Sequence, residues 1–346
     1  MLERLFSLLS QDIGIDLGTA NTLVYTKGKG IVINEPSVVA INTKSKQILA
    51  IGDEAKRMAG RTPANIVATR PLVDGVISDF EVTEHMLRYF IEKAGKGSFH
   101  LTKPRVVVGI PYNITEVERR AVEEAAINAG ARSVYLIEEP IAAAIGSRLP
   151  IQDATGSMIV DIGGGTTEIA VISLGGIVAS RSLRIAGDEL NDAIVNYARE
   201  KFSLLLGDKT AEDLKIKLGS AVEMKQRVKY PMRGRDLVSG LPKEILIGDD
   251  DIRTALKKPV MSIIDAIKAT IEETPPELVA DIMSRGIIIC GGGALLKGFD
   301  ILISQATETK VHIAEDPLTC VARGIGLVLE DLATLKNILL PTEFIK

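Results

Sequence analysis

Asp161-Ile162-Gly163-Gly164-Gly165-Thr166-Thr167 is the stretch that decides the fold, and Asp16-Leu17-Gly18-Thr19 repeats its chemistry near the start of the chain. Each lies between two short apolar runs rich in β-branched residues, which predicts a strand, a tight glycine turn and a return strand. Glycine lets backbone N–H groups approach phosphate oxygens, and threonine hydroxyls add hydrogen bonds. Because an aspartate repels phosphate, its expected task is to hold a hydrated divalent cation. Two such turns predict a polyphosphate that is bound from both sides.

The composition is that of a globular protein large enough for two domains. The chain has 346 residues, of which 46% are hydrophobic, and its formal net charge is -4. Without a lysine- or arginine-rich block it does not fit a nucleic-acid binder, and no apolar run approaches the roughly 18 residues of a membrane span. Cys290 and Cys320 are expected in the core. The scattered histidines predict no zinc site.

Strands and helices alternate in an order that occurs twice along the chain. An unbroken valine run predicts a buried strand over 106–109, and a capping box begins a predicted helix over 115–129. In the second half, we expect a helix over 252–274 with a break at Pro259, and a final helix over 318–335. The repetition predicts an α/β fold of two related halves with a cleft between them.

Three further segments have both a structural and a functional interpretation. Gly291-Gly292-Gly293 follows a predicted strand and is either a tight turn or a bare backbone surface for a ligand, at the start of a helix that faces phosphate. Glu138-Glu139-Pro140 opens a helix, where a carboxylate either compensates the helix dipole or orients an attacking water. Gly187-Asp188 starts a helix on the expected phosphate side.

Taken in order, these motifs resemble those of the actin-like ATPase superfamily, and they narrow to the MreB family of bacterial rod-shape actins. The resemblance covers nearly the whole chain. It is carried by Asp16–Thr22, Asn34–Ser37, Arg70–Pro71 with Asp74–Ile77, Glu139–Pro140 with Ala142–Ala144, and Gly240–Pro242. It implies an actin-like ATPase fold, in which two related α/β domains, each with a subdomain, enclose a nucleotide cleft.

The family also implies boundaries for these parts. An amphipathic membrane-binding helix would cover 1–10. Subdomain IA would comprise 11–32, 68–141 and 323–346, with subdomain IB at 33–67. Subdomain IIA would comprise 142–185 and 258–322, with subdomain IIB at 186–257.

The same resemblance implies a role for each matching residue in the binding and hydrolysis of ATP with Mg²⁺. Asp16 and Asp161 would hold the metal, Asp161 with a catalytic role as well, while Glu139 would position the attacking water with help from Thr166. The phosphates would meet Gly18, Thr19, Ala20 and Asn21 from the first domain, and Gly163, Gly164, Gly165 and Thr166 from the second. Gly187 and Asp188 would line the phosphate side, Glu212 and Lys215 would lie near ribose and base, and Gly291, Gly292, Gly293 and Ala294 would accept the adenosine.

Family members form filaments, so the resemblance implies self-association on the inner face of the cell membrane. Further partners would be membrane-bound cell-shape and cell-wall synthesis proteins, and the protein would be cytoplasmic and peripheral to the membrane. Leu2, Leu5, Phe6 and Leu9 fall on one helical face, which is either a terminal helix docked on the core or an amphipathic membrane anchor. Phe99 and Leu101 are either packed loop residues or a second insertion point.

Three alternatives differ from this interpretation. A small-molecule kinase would share the fold but needs an acceptor site, for which the sequence shows no convincing carboxylate. A chaperone-type ATPase needs a peptide-binding region, for which little chain follows the last predicted helix. A nucleotide-free structural polymer would not need the acids and glycines of the two turns.

Overall fold

The computed structural model describes residues 12–95, 103–332 and 335–341 of an α/β protein. The strands of this part of the chain are β1 (Ile13–Leu17), β2 (Asn21–Thr26), β3 (Gly30–Pro36), β4 (Val39–Asn42), β5 (Ile48–Ile51), β6 (Ile66–Thr69), β7 (Leu72–Val73), β8 (Val76–Ile77), β9 (Arg105–Ile110), β10 (Ser133–Glu138), β11 (Ser157–Ile162), β12 (Thr167–Ser173), β13 (Gly176–Leu183), β14 (Leu204–Leu205), β15 (Lys229–Asp236), β16 (Pro242–Gly248), β17 (Ile287–Cys290) and β18 (Val311–Ile313).

The α-helices of the same residues are α1 (Asp53–Met58), α2 (Phe80–Gly95), α3 (Glu116–Asn128), α4 (Glu139–Gly146), α5 (Gly187–Phe202), α6 (Asp208–Leu218), α7 (Asp249–Glu273), α8 (Pro276–Arg285), α9 (Phe299–Thr307) and α10 (Cys320–Glu330). Short 3-10 helices occur at Gly292–Leu295, Pro317–Thr319 and Lys336–Ile338. None of the described helices is both long and apolar enough to cross a membrane.

These elements form two compact units that share one plan. The first unit contains the described residues up to Thr155, Ile172–Ile177 and those from Leu318 onward, and the second contains Gly156–Val171 and Val178–Pro317. A five-stranded sheet of order β10-β9-β1-β2-β3 underlies the first, and one of order β13-β12-β11-β17-β18 underlies the second. Strands β1, β9 and β10 are parallel, as are β11, β17 and β18. The doubled order confirms the repetition predicted from the sequence.

Each sheet is covered by apolar side chains that form a separate core. In the first unit the core combines strand residues with one face of α2, including Ile15, Val24, Val106, Val108, Met86 and Phe90. In the second unit it includes Val160, Ile169, Ile194, Ile263, Ile289 and Phe299. Full burial of such a side chain stabilises the fold by about 1.5–3 kcal/mol. Cys290 and Cys320 are buried, as predicted, and neither forms a disulfide.

A local sequence signal places the start of α3 correctly. The capping box predicted for α3 is present, since the Thr115 hydroxyl accepts from the Glu118 N–H at 3.2 Å and the Glu118 carboxylate accepts from the Thr115 N–H at 2.7 Å. Such a cap satisfies two N–H groups that the helix itself cannot.

The predicted break at Pro259 is wrong, because α7 continues through it from Asp249 to Glu273. Proline removes one intrahelical hydrogen bond and crowds the preceding turn, which costs a helix interior about 3 kcal/mol. Here Leu256, before the proline, and Val260 and Ile263, after it, are buried in the core of the second unit. Their packing on both sides of the proline offsets that cost.

The final helix is shorter than predicted, because α10 ends at Glu330 rather than near residue 335. The Lys27 ammonium donates to the carbonyl oxygens of Leu329 and Glu330 at 3.2 and 3.0 Å. The Glu330 carboxylate in turn accepts from the Gly28 N–H at 2.7 Å. Residues about 300 positions away therefore cap this helix, and sequence periodicity does not reveal such contacts.

Candidate functional site

The first glycine turn connects β1 to β2, which pair antiparallel with Leu17 opposite Thr22. A β-carbon added to Gly18 would lie 2.7 Å from the Asn21 carbonyl oxygen, so this position requires glycine. Thr19 is buried, and its hydroxyl oxygen accepts from the Gly75 N–H at 2.9 Å. Gly75 belongs to the tight turn between β7 and β8 and has φ of 77°. The hairpin of β7 and β8 therefore holds the first glycine turn, a contact that was not predicted from the sequence.

Glu139 and Asp16 lie at the same edge of the first sheet. Asp16 is in β1 opposite Gly109 of β9, while Glu139 is the first residue of α4, directly after β10. A β-carbon on Gly109 would lie 3.5 Å from Cγ of Glu139. The carboxyl ends of parallel strands thus bring a predicted metal ligand and the predicted water-positioning acid to the two sides of one glycine. Only 9% of Glu139 is exposed.

The second glycine turn connects β11 to β12 and spans Gly163–Thr166. The Gly163 N–H donates to the Thr166 carbonyl at 2.9 Å, which closes the turn. The carbonyl oxygens of Gly163 and Gly164 accept from the N–H groups of Gly187 and Asp188 at 3.1 and 2.8 Å. Because a trans peptide is planar, the N–H groups of Gly164 and Gly165 point away from α5. They are therefore the donors that this turn directs outward.

Gly187 and Asp188 support this turn from behind. Their N–H groups are used by its carbonyls, and the Gly187 carbonyl accepts from the Lys215 ammonium at 2.7 Å. Lys215 lies on α6 together with Glu212. Thus α5 and α6 join the predicted residues 187, 188, 212 and 215 to the second turn within one unit.

The glycine triplet has a packing role in addition to any role in binding. Gly291 has φ of 77°, and a β-carbon there would strike the Asp161 carboxylate and the Ile162 carbonyl. A β-carbon on Gly293 would strike the Ile162 side chain. The segment after β17 is a 3-10 helix over Gly292–Leu295, so the expected α-helix N-terminus at this point is wrong. Ala294, within this 3-10 helix, is fully buried.

Asp161 is buried and lies next to Cys290. Its partner in the parallel pair of β11 and β17 is Cys290. Burial raises the pKa of the Asp161 carboxyl to about 6, and a hydrogen bond with Cys290 opposes part of that shift. Burial in a low-dielectric site disfavours the charged form, and a cation beside it would reverse that penalty. Carboxylate oxygens are the ligands that Mg²⁺ prefers, so the side chain of Asp161, and in the other unit that of Asp16, each has the donor chemistry suited to this ion.

Some predicted positions lie outside the described residues. These are Leu2, Leu5, Phe6, Leu9, Phe99 and Leu101. Conversely, the sequence assigns no role to four residues that contact the predicted site of the first unit. Gly75 contacts Thr19, Ser37 contacts Gly18 with Thr22 behind it, and Gly109 lies beside Glu139. The unusual Asp74-Gly75 pair was the available signal for Gly75, since it is typical of a type I′ hairpin turn.

A family comparison identifies the chain. The family model described as MreB/Mbl protein matches residues 10–337. The chain belongs to the MreB/Mbl family. The match confirms the resemblance inferred from the motifs, and the matched range includes the elements of both units.

Curated relatives of this MreB/Mbl-family protein match it at nearly full length. The cell shape-determining protein MreB of Escherichia coli (strain K12) is 52% identical over 334 residues, which are 95% of this chain and 96% of that protein. The cell shape-determining protein Mbl of Bacillus subtilis (strain 168) is 52% identical over 326 residues, which are 94% and 97% of the two chains.

Solved structures confirm the fold class. MreB5 of Spiroplasma citri bound to ADP has a TM-score of 0.90 at 40% identity and covers 95% of this chain and 98% of its own. The same protein bound to AMPPNP has a TM-score of 0.89 at 40% identity, with the same coverage. A MamK double helical filament has a TM-score of 0.79 at 22% identity, covering 93% and 99%, and bears on the fold alone. The MreB/Mbl-family chain therefore has the actin-like ATPase fold.

Proposed function

We propose that this MreB/Mbl-family protein binds ATP with Mg²⁺ and hydrolyses it. The observation that carries the proposal is the pair of acid-and-glycine turns, one at the end of β1 and one at the end of β11. Both turns have carbonyls tied to neighbouring backbone or side chains, which leaves N–H groups directed outward. A relative that is 40% identical over 95% of the chain has been solved with ADP and with AMPPNP, which supports a nucleotide as the ligand.

Each turn would hold the phosphates through its backbone. The N–H groups of Thr19, Gly164 and Gly165 would donate to phosphate oxygens, with the Thr166 hydroxyl beside them. Glu139 would accept a hydrogen bond from the attacking water and orient it in line with the γ-phosphate. Bound Mg²⁺, held mostly through water by Asp16 and Asp161, would neutralise phosphate charge. Phosphoryl transfer of this kind is catalysed mainly by positioning and electrostatic stabilisation.

The adenosine would be bound by the second unit. Lys215 and Glu212 of α6 would lie near the ribose and base, and the backbone of Gly291–Ala294 would accept the purine. The support for this part of the proposal is that Lys215 reaches the carbonyl of Gly187, whose own N–H supports the second turn. These residues therefore share one unit with the second glycine turn.

We further propose that the protein forms ATP-dependent filaments on the inner face of the cell membrane and helps to maintain rod shape. Its relatives in E. coli and B. subtilis are named for determining cell shape. The N-terminal segment has four large apolar residues at helical spacing, each worth at most about 1.5–3 kcal/mol on full burial. One such segment binds lipid weakly, whereas a filament presents many and gains avidity. Membrane-bound cell-shape and cell-wall synthesis proteins would be its further partners.

Electron microscopy of the purified protein with ATP and liposomes tests this proposal. We expect lipid-bound filaments for the full chain. Deletion of residues 1–9 should leave ATP-dependent filaments intact in solution while releasing them from liposomes. Replacement of Ser7 and Ser10 by alanine is the matched control and should retain lipid binding. Co-sedimentation with lipid that is unchanged by the deletion would refute the membrane role, and an absence of filaments with ATP would refute the polymer.

A further inference from the structure

The segment Asn34–Ser37 lies against the first glycine turn at three points. The Ser37 hydroxyl donates to the Gly18 carbonyl at 2.6 Å, and the Ser37 N–H donates to the Ala20 carbonyl at 3.0 Å. At the other end of the segment, the Asn34 side-chain oxygen accepts from the Asn21 side-chain amide at 3.0 Å. A segment that contributes no phosphate ligand of its own therefore holds three residues of the turn.

The hydroxyl of Ser37 is part of a directed chain of hydrogen bonds. Its oxygen lies 2.9 Å from the Thr22 hydroxyl oxygen. Because the single Ser37 hydroxyl proton goes to the Gly18 carbonyl, Thr22 must be the donor to Ser37. Both side chains are fully buried. Hydrogen bonds in such a chain strengthen one another in a low-dielectric interior, so the Gly18 carbonyl is firmly oriented.

The direction of that carbonyl fixes the direction of the next N–H. A trans peptide is planar, with its C=O and N–H pointing to opposite sides. The Gly18 carbonyl points toward Ser37, so the Thr19 N–H points away from it. Glycine at position 18 would otherwise let this peptide plane rotate with little steric resistance. In the second turn, N–H groups of α5 hold the carbonyls of Gly163 and Gly164 in a comparable way.

We propose that Ser37, supported by Thr22, is a positioning residue that aims the Thr19 N–H at the nucleotide phosphate. This inference rests on the proposed function, because Ser37 can have this role only if the turn binds phosphate. Ser37 is fully buried against the turn, so it would act on the ligand through the turn. Its effect should therefore appear as nucleotide affinity rather than as loss of folding.

The test is the affinity of the full-length protein for MgATP, measured by titration calorimetry. Ser37→Ala leaves the Gly18 carbonyl without its donor, and we expect affinity to fall about tenfold, equivalent to about 1.4 kcal/mol. Thr22→Val removes the hydroxyl that donates to Ser37 and should lower the affinity for MgATP by a smaller factor, about threefold. This variant also tests the proposal if Ser37→Ala folds poorly. Thr22→Ser keeps the hydroxyl and should bind as the wild type does.

Thr26→Val is the matched control. Thr26 lies on the same strand and the same face as Thr22 and is equally buried, but its hydroxyl has no hydrogen-bond partner among the described residues. It should bind MgATP with wild-type affinity. If Ser37→Ala and Thr22→Val lower only the Tm of the nucleotide-free protein and bind MgATP normally, both residues are structural and the inference is wrong. If the wild type itself takes up no MgATP, the proposed function fails and the inference fails with it.

Discussion

The side chain of Glu139 packs against Gly109, which has no side chain of its own. This leaves room for the Glu139 carboxylate at the edge of the sheet. Gly109 sits between the strand that carries Asp16 and the strand that leads to Glu139. The two acids thereby reach one edge of the sheet with no side chain between them at that position. A β-carbon at position 109 would press on Ile325 of α10, whose Cδ1 would lie 3.0 Å away, and would touch Cγ of Glu139 at 3.5 Å.

Replacement of Glu139 by alanine tests its role in catalysis. We expect ATP hydrolysis to slow by roughly 10²–10³, the scale of losing one transition-state interaction, while MgATP binding stays near that of the wild type. Phosphate release under single-turnover conditions measures the first quantity and calorimetry the second. Glu138→Ala, which removes the preceding carboxylate, is the control and should hydrolyse ATP at close to the normal rate. Normal hydrolysis by Glu139→Ala would exclude it as the residue that orients water.

Among the elements of the first unit, α4 and α10 cross with their backbones in direct contact. A β-carbon on Gly146 would strike the Cys320 carbonyl, and one on Gly324 would strike the Ala142 carbonyl. Glycine therefore lets two helix backbones approach directly, and α4 begins with Glu139. This close crossing fixes the position of the helix that begins with Glu139.

Gly324→Ala should destabilise the protein because the clash is with backbone, which cannot rotate away. Overpacking of this kind typically costs about 1–3 kcal/mol. Denaturant unfolding followed by circular dichroism gives the free energy of unfolding. Gly95→Ala is the control, since Gly95 ends α2 and a β-carbon there meets nothing within 4 Å; alanine should be neutral or slightly stabilising at this position. Equal stability of the two variants would contradict the close crossing.

Elements specified by nearby residues were predicted well, and those specified by distant residues were not. The capping box of α3 and both glycine turns follow from signals within a few residues. By contrast, α7 continues through Pro259 because of core packing, and α10 ends where Lys27 binds its last carbonyls. The contact of Ser37 with Gly18 joins residues 19 positions apart. No local pattern predicts such contacts, although the Asn34–Ser37 motif was visible in the sequence.

At the scale of the whole molecule, one plan is used twice. Both units have a five-stranded sheet with the same strand order, and the acid-and-glycine turn follows the same central strand in each. The first turn is supported by Ser37 and by Gly75, and the second by the start of α5. In the proposed function, each turn supplies backbone N–H groups to the phosphates of ATP, and the same nucleotide supports filament formation.

Calorimetric titration of the folded protein with MgATP tests this account most directly. We expect the wild type to take up one nucleotide per chain, and Asp161→Ala to lose that uptake because the second turn then lacks its acid. Asp265→Ala, at an exposed position of α7, should bind as the wild type does. If the well-folded wild type takes up no MgATP, or if Asp161→Ala binds it unchanged, the account is contradicted.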